Sequence, residues 1–270
     1  MRSPRSCSGR RLLSSRCAVT AAACLVACAL AACGRTPATG PLQWHPLQPG
    51  LEYARADAHT AAGGDVALHL VRLALERWEL VLVDAAVTGV PLADARTFRE
   101  AAGGVLAVNA GYFDPQFRPL GLRVSRGRQQ GALRKVDHGV FSVADRRGGL
   151  QHAKQWVAPA GLEFALECGP RLLIGGGAPV FREATRARRT ALGTDGHGRA
   201  VIVATDGALS LAELAAALAR PEPQGGPGLV DALNLDGGSS TMFDLHVGAR
   251  HVEVTAALGV PVGVAVVARR

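Results

Sequence analysis

The sequence is short of the residues that staple, stack or chelate. Of its six cysteines, Cys7, Cys17, Cys24, Cys28 and Cys33 crowd the N-terminus and only Cys168 lies farther on, so the body of the chain can form no internal disulfide. Cys168 reads as a small buried residue. Aromatic residues make up 4 % of the chain, too few for a long platform on which polysaccharide would stack. His138, His152, His197, His246 and His251 lack the paired spacing that gathers a metal ion, although carboxylates and carbonyls from separate loops leave a divalent metal open. No cofactor is predicted.

The N-terminus carries charge of one sign and then none. Arg2, Arg5, Arg10, Arg11 and Arg16 precede an uncharged, Ala- and Cys-rich run from Cys17 to Ala32. That is a positive n-region before an h-region shorter than the ~20 residues a membrane helix needs, so residues 1–32 are expected to be an export signal. Leu30-Ala31-Ala32-Cys33 resembles the bacterial lipobox, which implies lipidation at Cys33, attachment to a membrane through that anchor, and residence in the bacterial cell envelope. Loss of residues 1–32 removes five arginines and no acidic residue from a formal charge of +8, leaving +3. So small an excess, with no basic stripe, argues against a nucleic-acid partner. Arg182, Arg186 and Arg188, in "REATRARR", are expected on a solvated surface.

Residues 33–50 are rich in Pro, Gly and Thr without periodicity and are expected to be a flexible tether. Residues 51–270 then form one domain. Runs such as "DVALHLVRLA", "WELVLVDA", "AVIVATDG" and "VPVGVAVVA" are strand-like, and several are apolar on both faces, as in a covered sheet. Ser210 and Glu213 form an S-x-x-E capping box before "LAELAAALA", which Pro221 closes, and a second helix is expected over residues 92–102. Asp195-Gly196-His197-Gly198 reads as a hairpin turn. The fold class is α/β in the mixed α+β sense, a single domain with a mostly β core sheet flanked by a few helices.

Four polar, glycine-containing stretches follow or end apolar runs: "NAGYF" from Asn109, "GPRLL" from Gly169, "RRTALG" from Arg188 and "NLDGGSST" from Asn234. Strand ends with glycine-rich turns are where a rigid scaffold leaves backbone amides free for a site. Asp236-Gly237-Gly238 could instead be a plain hairpin turn followed by capping hydroxyls. In this order, the four stretches resemble the phosphodiester glycosidase family over roughly residues 70–270, with Ala110 and Ser239 standing where many members have glycine.

The resemblance implies a hydrolase for a sugar joined through its anomeric carbon to a phosphodiester. Such a reaction needs a carboxylate near the ring and cations near the phosphate. Asp236 and Arg189 are the leading catalytic candidates, with Glu167 or Asp206 as a second carboxylate. Asn109, Gly111, Arg171, Thr190, Asn234, Gly237, Gly238, Ser239 and Ser240 are the expected substrate-binding residues, and the partner is a sugar phosphodiester or an envelope glycan. The alternatives are a non-catalytic lipoprotein binding glycan or exopolysaccharide, and a phosphodiesterase that cuts P–O.

Overall fold

The computed structural model describes residues 40–270; the expected signal segment, Cys33 and the first part of the tether lie outside them. Three antiparallel sheets make the body. The first runs in the order β1 (His45–Gln48), β2 (Leu51–His59), β3 (Asp65–Leu73), β13 (Ala200–Thr205), β12 (Thr190–Thr194), β14 (Asp231–Asn234) and β11 (Arg171–Leu173). The second is β16 (Arg250–Val254), β15 (Phe243–Val247), β5 (Leu106–Asn109), β17 (Val262–Ala268) and β4 (Trp78–Asp84). The third is β7 (Arg128–Gln129), β6 (Arg123–Ser125), β10 (Leu162–Cys168), β8 (Gly139–Ala144) and β9 (Arg147–His152).

All three sheets share one core, where Val71, Ile202 and Leu233 of the first meet Val108, Phe243 and Val264 of the second and Phe141 and Phe164 of the third. This explains why so many strands are apolar on both faces. The first sheet's other face is covered by α2 (Leu211–Ala219), through Leu214, Ala215 and Leu218. Phe98 of α1 (Ala95–Ala102) packs with Val81, Ala107 and Ala265 of the second sheet. The architecture is therefore a β-dominated α+β fold, and every strand pair among the described residues is antiparallel.

The local signals act as their chemistry dictates. Ser210 Oγ accepts from Glu213 N at 3.2 Å while Glu213 Oε2 accepts from Ser210 N at 2.8 Å, which satisfies two donors at the start of α2. Ser210→Ala is expected to cost about 1 kcal/mol of stability, read from the midpoint of urea unfolding at unchanged slope. Helix α1 begins at Ala95, later than expected, because Asp94 caps it by accepting from Thr97 N at 2.8 Å. Asp195 to Gly198 do turn β12 into β13, with Asp195 Oδ1 accepting from His197 N at 3.0 Å.

The domain begins earlier than residue 51. Leu42 is buried in the α2-side core, Trp44 Nε1 donates to Glu222 Oε1 at 2.9 Å, and residues 45–48 pair with β2. Apolar side chains spaced among the prolines dock this stretch, so composition alone misassigned it to the tether.

Candidate active site

The last of the four polar stretches is not a hairpin. Strand β14 pairs with β11 and β12 in the first sheet, whereas β15 pairs with β5 and β16 in the second, so residues 235–242 cross from one sheet to another. Gly238 adopts φ +64, and a Cβ on Gly237 would lie 2.9 Å from the Arg188 carbonyl, so both positions need glycine.

Buried amides hold this crossing. Asn109, at the end of β5, has 0 % exposure; its Nδ2 donates to the Asp236 carbonyl at 2.7 Å. Its Oδ1 accepts from Thr190 Oγ1 at 2.7 Å and from Met242 N at 3.2 Å. One side chain thus ties both sheets to the crossing. Asn234 Nδ2 donates to the Gly169 carbonyl at 3.0 Å and to the Leu235 carbonyl at 2.6 Å, and the Tyr112 hydroxyl donates to the same Gly169 carbonyl. Gly111 lets the chain pass the third sheet, since a Cβ there would sit 3.1 Å from the Glu167 carbonyl.

These contacts present the Asp236 carboxylate half-buried, with Oδ1 accepting from Gly237 N at 3.0 Å. Burial raises its pKa above the ordinary carboxylate value, and hydrogen bonding from Ser240 and Gly237 only partly opposes that. Arg189 lies alongside: a Cβ on Gly237 would be 4.0 Å from its Nη1. Its Nε donates to the Leu209 carbonyl at 2.9 Å and its Nη2 to the Thr185 carbonyl at 2.7 Å, and among the described residues no carboxylate pairs with it. Burial lowers the Arg189 pKa and raises that of the Tyr112 hydroxyl, whose charged neighbours are Asp236 and Arg189. A desolvated carboxylate, a partly buried arginine held by backbone carbonyls with Glu183 as its counter-charge, and a phenol therefore share one site.

A cleft of about 360 Å³ opens beside them, walled by Tyr112, Asp137, His138, Gly169, Pro170, Val180, Phe181, Arg182, Glu183 and Leu211. It continues into a smaller pocket of about 160 Å³, which shares Asp137, Pro170, Val180 and Phe181 and adds Arg171. Residues 174–188, between β11 and β12, form the outer wall without regular strand or helix. Another cleft, of about 370 Å³ around Tyr53, Arg55 and Arg250, contains none of the residues of the four polar stretches.

The expected residues separate into groups. Asn109, Thr190, Asn234, Asp236, Gly237, Gly238 and Ser240 meet at the crossing, with Arg189 against it. Arg171 stands in the adjoining pocket. Ser239 is exposed, and its carbonyl accepts from Ala257 N and Leu258 N. Glu167 does not line the cleft: it is 2 % exposed in β10, where its Oε2 accepts from Leu122 N and Arg134 N, each at 2.9 Å. Asp206 is also elsewhere, bound to His69 Nε2 at 2.8 Å in a chain that ends at Tyr53. The arginine run is divided, with Arg186 paired to Glu213, Arg188 donating to the Thr255 carbonyl, and Arg182 in the cleft wall. Burial pushes the Cys168 thiol up to about 12. Among the described residues, no three His, Cys, Asp or Glu side chains gather as a metal-holding group. Tyr112, Asp137, His138, Val180, Phe181, Arg182, Glu183 and Leu211 are the wall residues that the sequence did not single out as part of a site. Of these, Tyr112 was visible within "NAGYF".

Three antiparallel sheets with a carboxylate and a guanidinium at a sheet-to-sheet crossing define the class of protein. Residues 102–267 match the model of the phosphodiester glycosidase family, and the chain belongs to that family. Its fold is similar to the zebrafish N-acetylglucosamine-1-phosphodiester alpha-N-acetylglucosaminidase catalytic domain auto-inhibited by its pro-peptide, with TM-score 0.62 and 17 % identity over 85 % of this chain and 89 % of that one. A Synechocystis protein matches with TM-score 0.58 and 18 % identity, over 85 % of this chain and 64 % of that one. A Burkholderia pseudomallei protein matches with TM-score 0.57 and 15 % identity, over 76 % of this chain and 74 % of that one. By sequence, the chain is 26 % identical over 122 residues to the protein YigE of Escherichia coli K12, a match covering 41 % of this chain and 48 % of that protein.

Proposed function

We propose that this protein is an exported, lipid-anchored hydrolase that cleaves the anomeric C–O bond of a sugar-1-phosphodiester in the cell envelope. The observation that carries the reading is the Asp236 carboxylate, desolvated at the crossing beside an Arg189 that makes no salt bridge among the described residues. Positive charge developing on the sugar ring is stabilised by Asp236, which needs little reorganisation because Asn109 already fixes its backbone. The phosphodiester is drawn toward Arg189, with Arg182 and Arg171 along the cleft and its extension. Because phosphate departs readily as an anion, the leaving oxygen needs no strong general acid. Family membership supports the reaction type; the sugar phosphodiester and the anchor at Cys33 are part of the proposal.

The test is release of reducing sugar from UDP-N-acetylglucosamine and simple N-acetylglucosamine phosphodiesters, run in ¹⁸O-labelled water. Label in the sugar supports anomeric cleavage, while label in the phosphate would replace the reading with a P–O phosphodiesterase. Binding without turnover of any of them would favour a glycan-binding lipoprotein. Arg189→Ala is expected to lower kcat/KM roughly 10²-fold, measured on the same substrates. Arg189→Lys recovers part of the loss, because it restores charge without the fork.

A further inference from the structure

Glu167 is a buried carboxylate with one oxygen accounted for and one not. Oε2 holds two backbone amides, whereas Oε1 is buried without a hydrogen-bond partner. An unpaired carboxylate oxygen in the interior is costly, and a positive charge that forms opposite it offsets that cost. What faces it is His138, whose Nδ1 lies 3.8 Å away. The imidazole's opposite edge rests against Gly169, where a Cβ would meet Cδ2 at 2.9 Å, and its ring meets that of Tyr112 at a centroid distance of 5.7 Å. His138 stands in the cleft wall with its side chain 26 % exposed, while Glu167 behind it is 1 % exposed. Its Nε2 is engaged by no hydrogen bond among the described residues.

We infer that His138 is the general base of the reaction and that Glu167 is the residue that positions it. The inference rests on the hydrolytic reading above. The Glu167 carboxylate, whose Oε1 lies 3.8 Å from Nδ1 and beyond hydrogen-bond reach, favours the proton on Nδ1 through its charge, which leaves the Nε2 lone pair free. Water attacks the anomeric carbon as the C–O bond to phosphate breaks, and the bonding pair leaves with the phosphate. The proton released by the water passes to Nε2, and the imidazolium formed faces the Glu167 carboxylate. Asp236 is then free to stay ionised opposite the ring charge, which assigns the two carboxylates different tasks.

The charges around the imidazole agree with a base that is neutral at rest. Burial lowers its pKa and Arg134 adds to that, while Glu167 and Asp137 oppose them. Tyr112 packs against it, and Arg182 and Glu183 reach the same cleft from the outer wall.

The experiment is kcat/KM against pH for the intact protein and for His138→Gln and Glu167→Gln, using the best of the phosphodiesters above. ¹H–¹⁵N spectra follow the His138 ring through the same titration. In the wild type, activity rises with pH as His138 loses its proton. His138→Gln is expected to lose that limb and about 10²-fold or more of the plateau. Glu167→Gln keeps an oxygen able to accept from the two amides but carries no charge, so the limb and the ring titration both move to lower pH and the plateau falls. A residue that merely braced the fold would change stability and leave the limb where it was. Persistence of the limb in His138→Gln, or a ring titration indifferent to Glu167→Gln, overturns the inference and leaves the hydrolytic reading standing. Absence of sugar release from the wild type overturns that reading, and this inference with it.

Discussion

Asp236→Asn is expected to reduce sugar release by roughly 10²- to 10³-fold, the range seen when a preorganised group facing transition-state charge is removed, while leaving the protein at least as stable as the wild type at neutral pH. The two effects have one source. In the folded protein burial raises the Asp236 pKa, so its ionised form is held against a desolvation cost. By linkage, a carboxylate whose folded pKa lies above its unfolded value opposes folding once the pH exceeds both, and the cost vanishes below both. The stability difference between Asp236→Asn and wild type should therefore be largest near neutrality and fade as pH falls into the ordinary carboxylate range. Asn keeps an oxygen that can accept from Gly237 N, so the crossing stays in place. Thermal melts across pH, beside the sugar assay, check both halves; an inactive and destabilised variant would assign Asp236 to the scaffold instead.

Asn109→Ala should be the most damaging single truncation at the site, costing about 3–5 kcal/mol. It strands the buried Met242 amide and Thr190 hydroxyl and releases the Asp236 carbonyl from its donor. Urea unfolding should show a lower midpoint at an unchanged slope. Asn109→Asp separates the contributions: it retains an acceptor for Thr190 and Met242, loses the donor to Asp236, and brings a second negative charge toward the carboxylate. Activity should fall further than stability.

The parts of this architecture visible in the sequence are those written in short-range chemistry. The capping box at Ser210, the Asp195–Gly198 turn and the long two-faced apolar runs of β3, β4, β13 and β17 are local, and the structure has each of them. The four polar stretches were visible because glycines and hydroxyls after an apolar run are unusual. The partition into three sheets was not, because β5 finds its partners β15 and β17 far along the chain and nothing in "LAVN" specifies them. Strands such as β9, "RGGLQH", are half-polar and short, so no alternation marks them. Glu167 looked like a possible catalytic carboxylate beside "CGP", but the register of β10 turns its side chain inward behind His138. His138 is weighed in the sequence only as a metal ligand, because a single histidine before a strand has no periodic signature that would place it in a cleft, and Phe181 and Arg182 lie in a segment without regular structure.

The place of β17 has a temporal consequence. Strands β4 and β5 lie on either side of it and do not pair with each other, so residues 78–84 and 106–109 keep open edges until residues 262–268 arrive between them. A chain that folds from its N-terminal side must therefore carry two apolar, unsatisfied strands until those residues pair, a state prone to mispairing with other chains. Asn109 ends one of those waiting strands. The candidate site consequently cannot mature piecemeal: the second sheet's share of it waits on residues 262–268, which slot in beside β5 and Asn109.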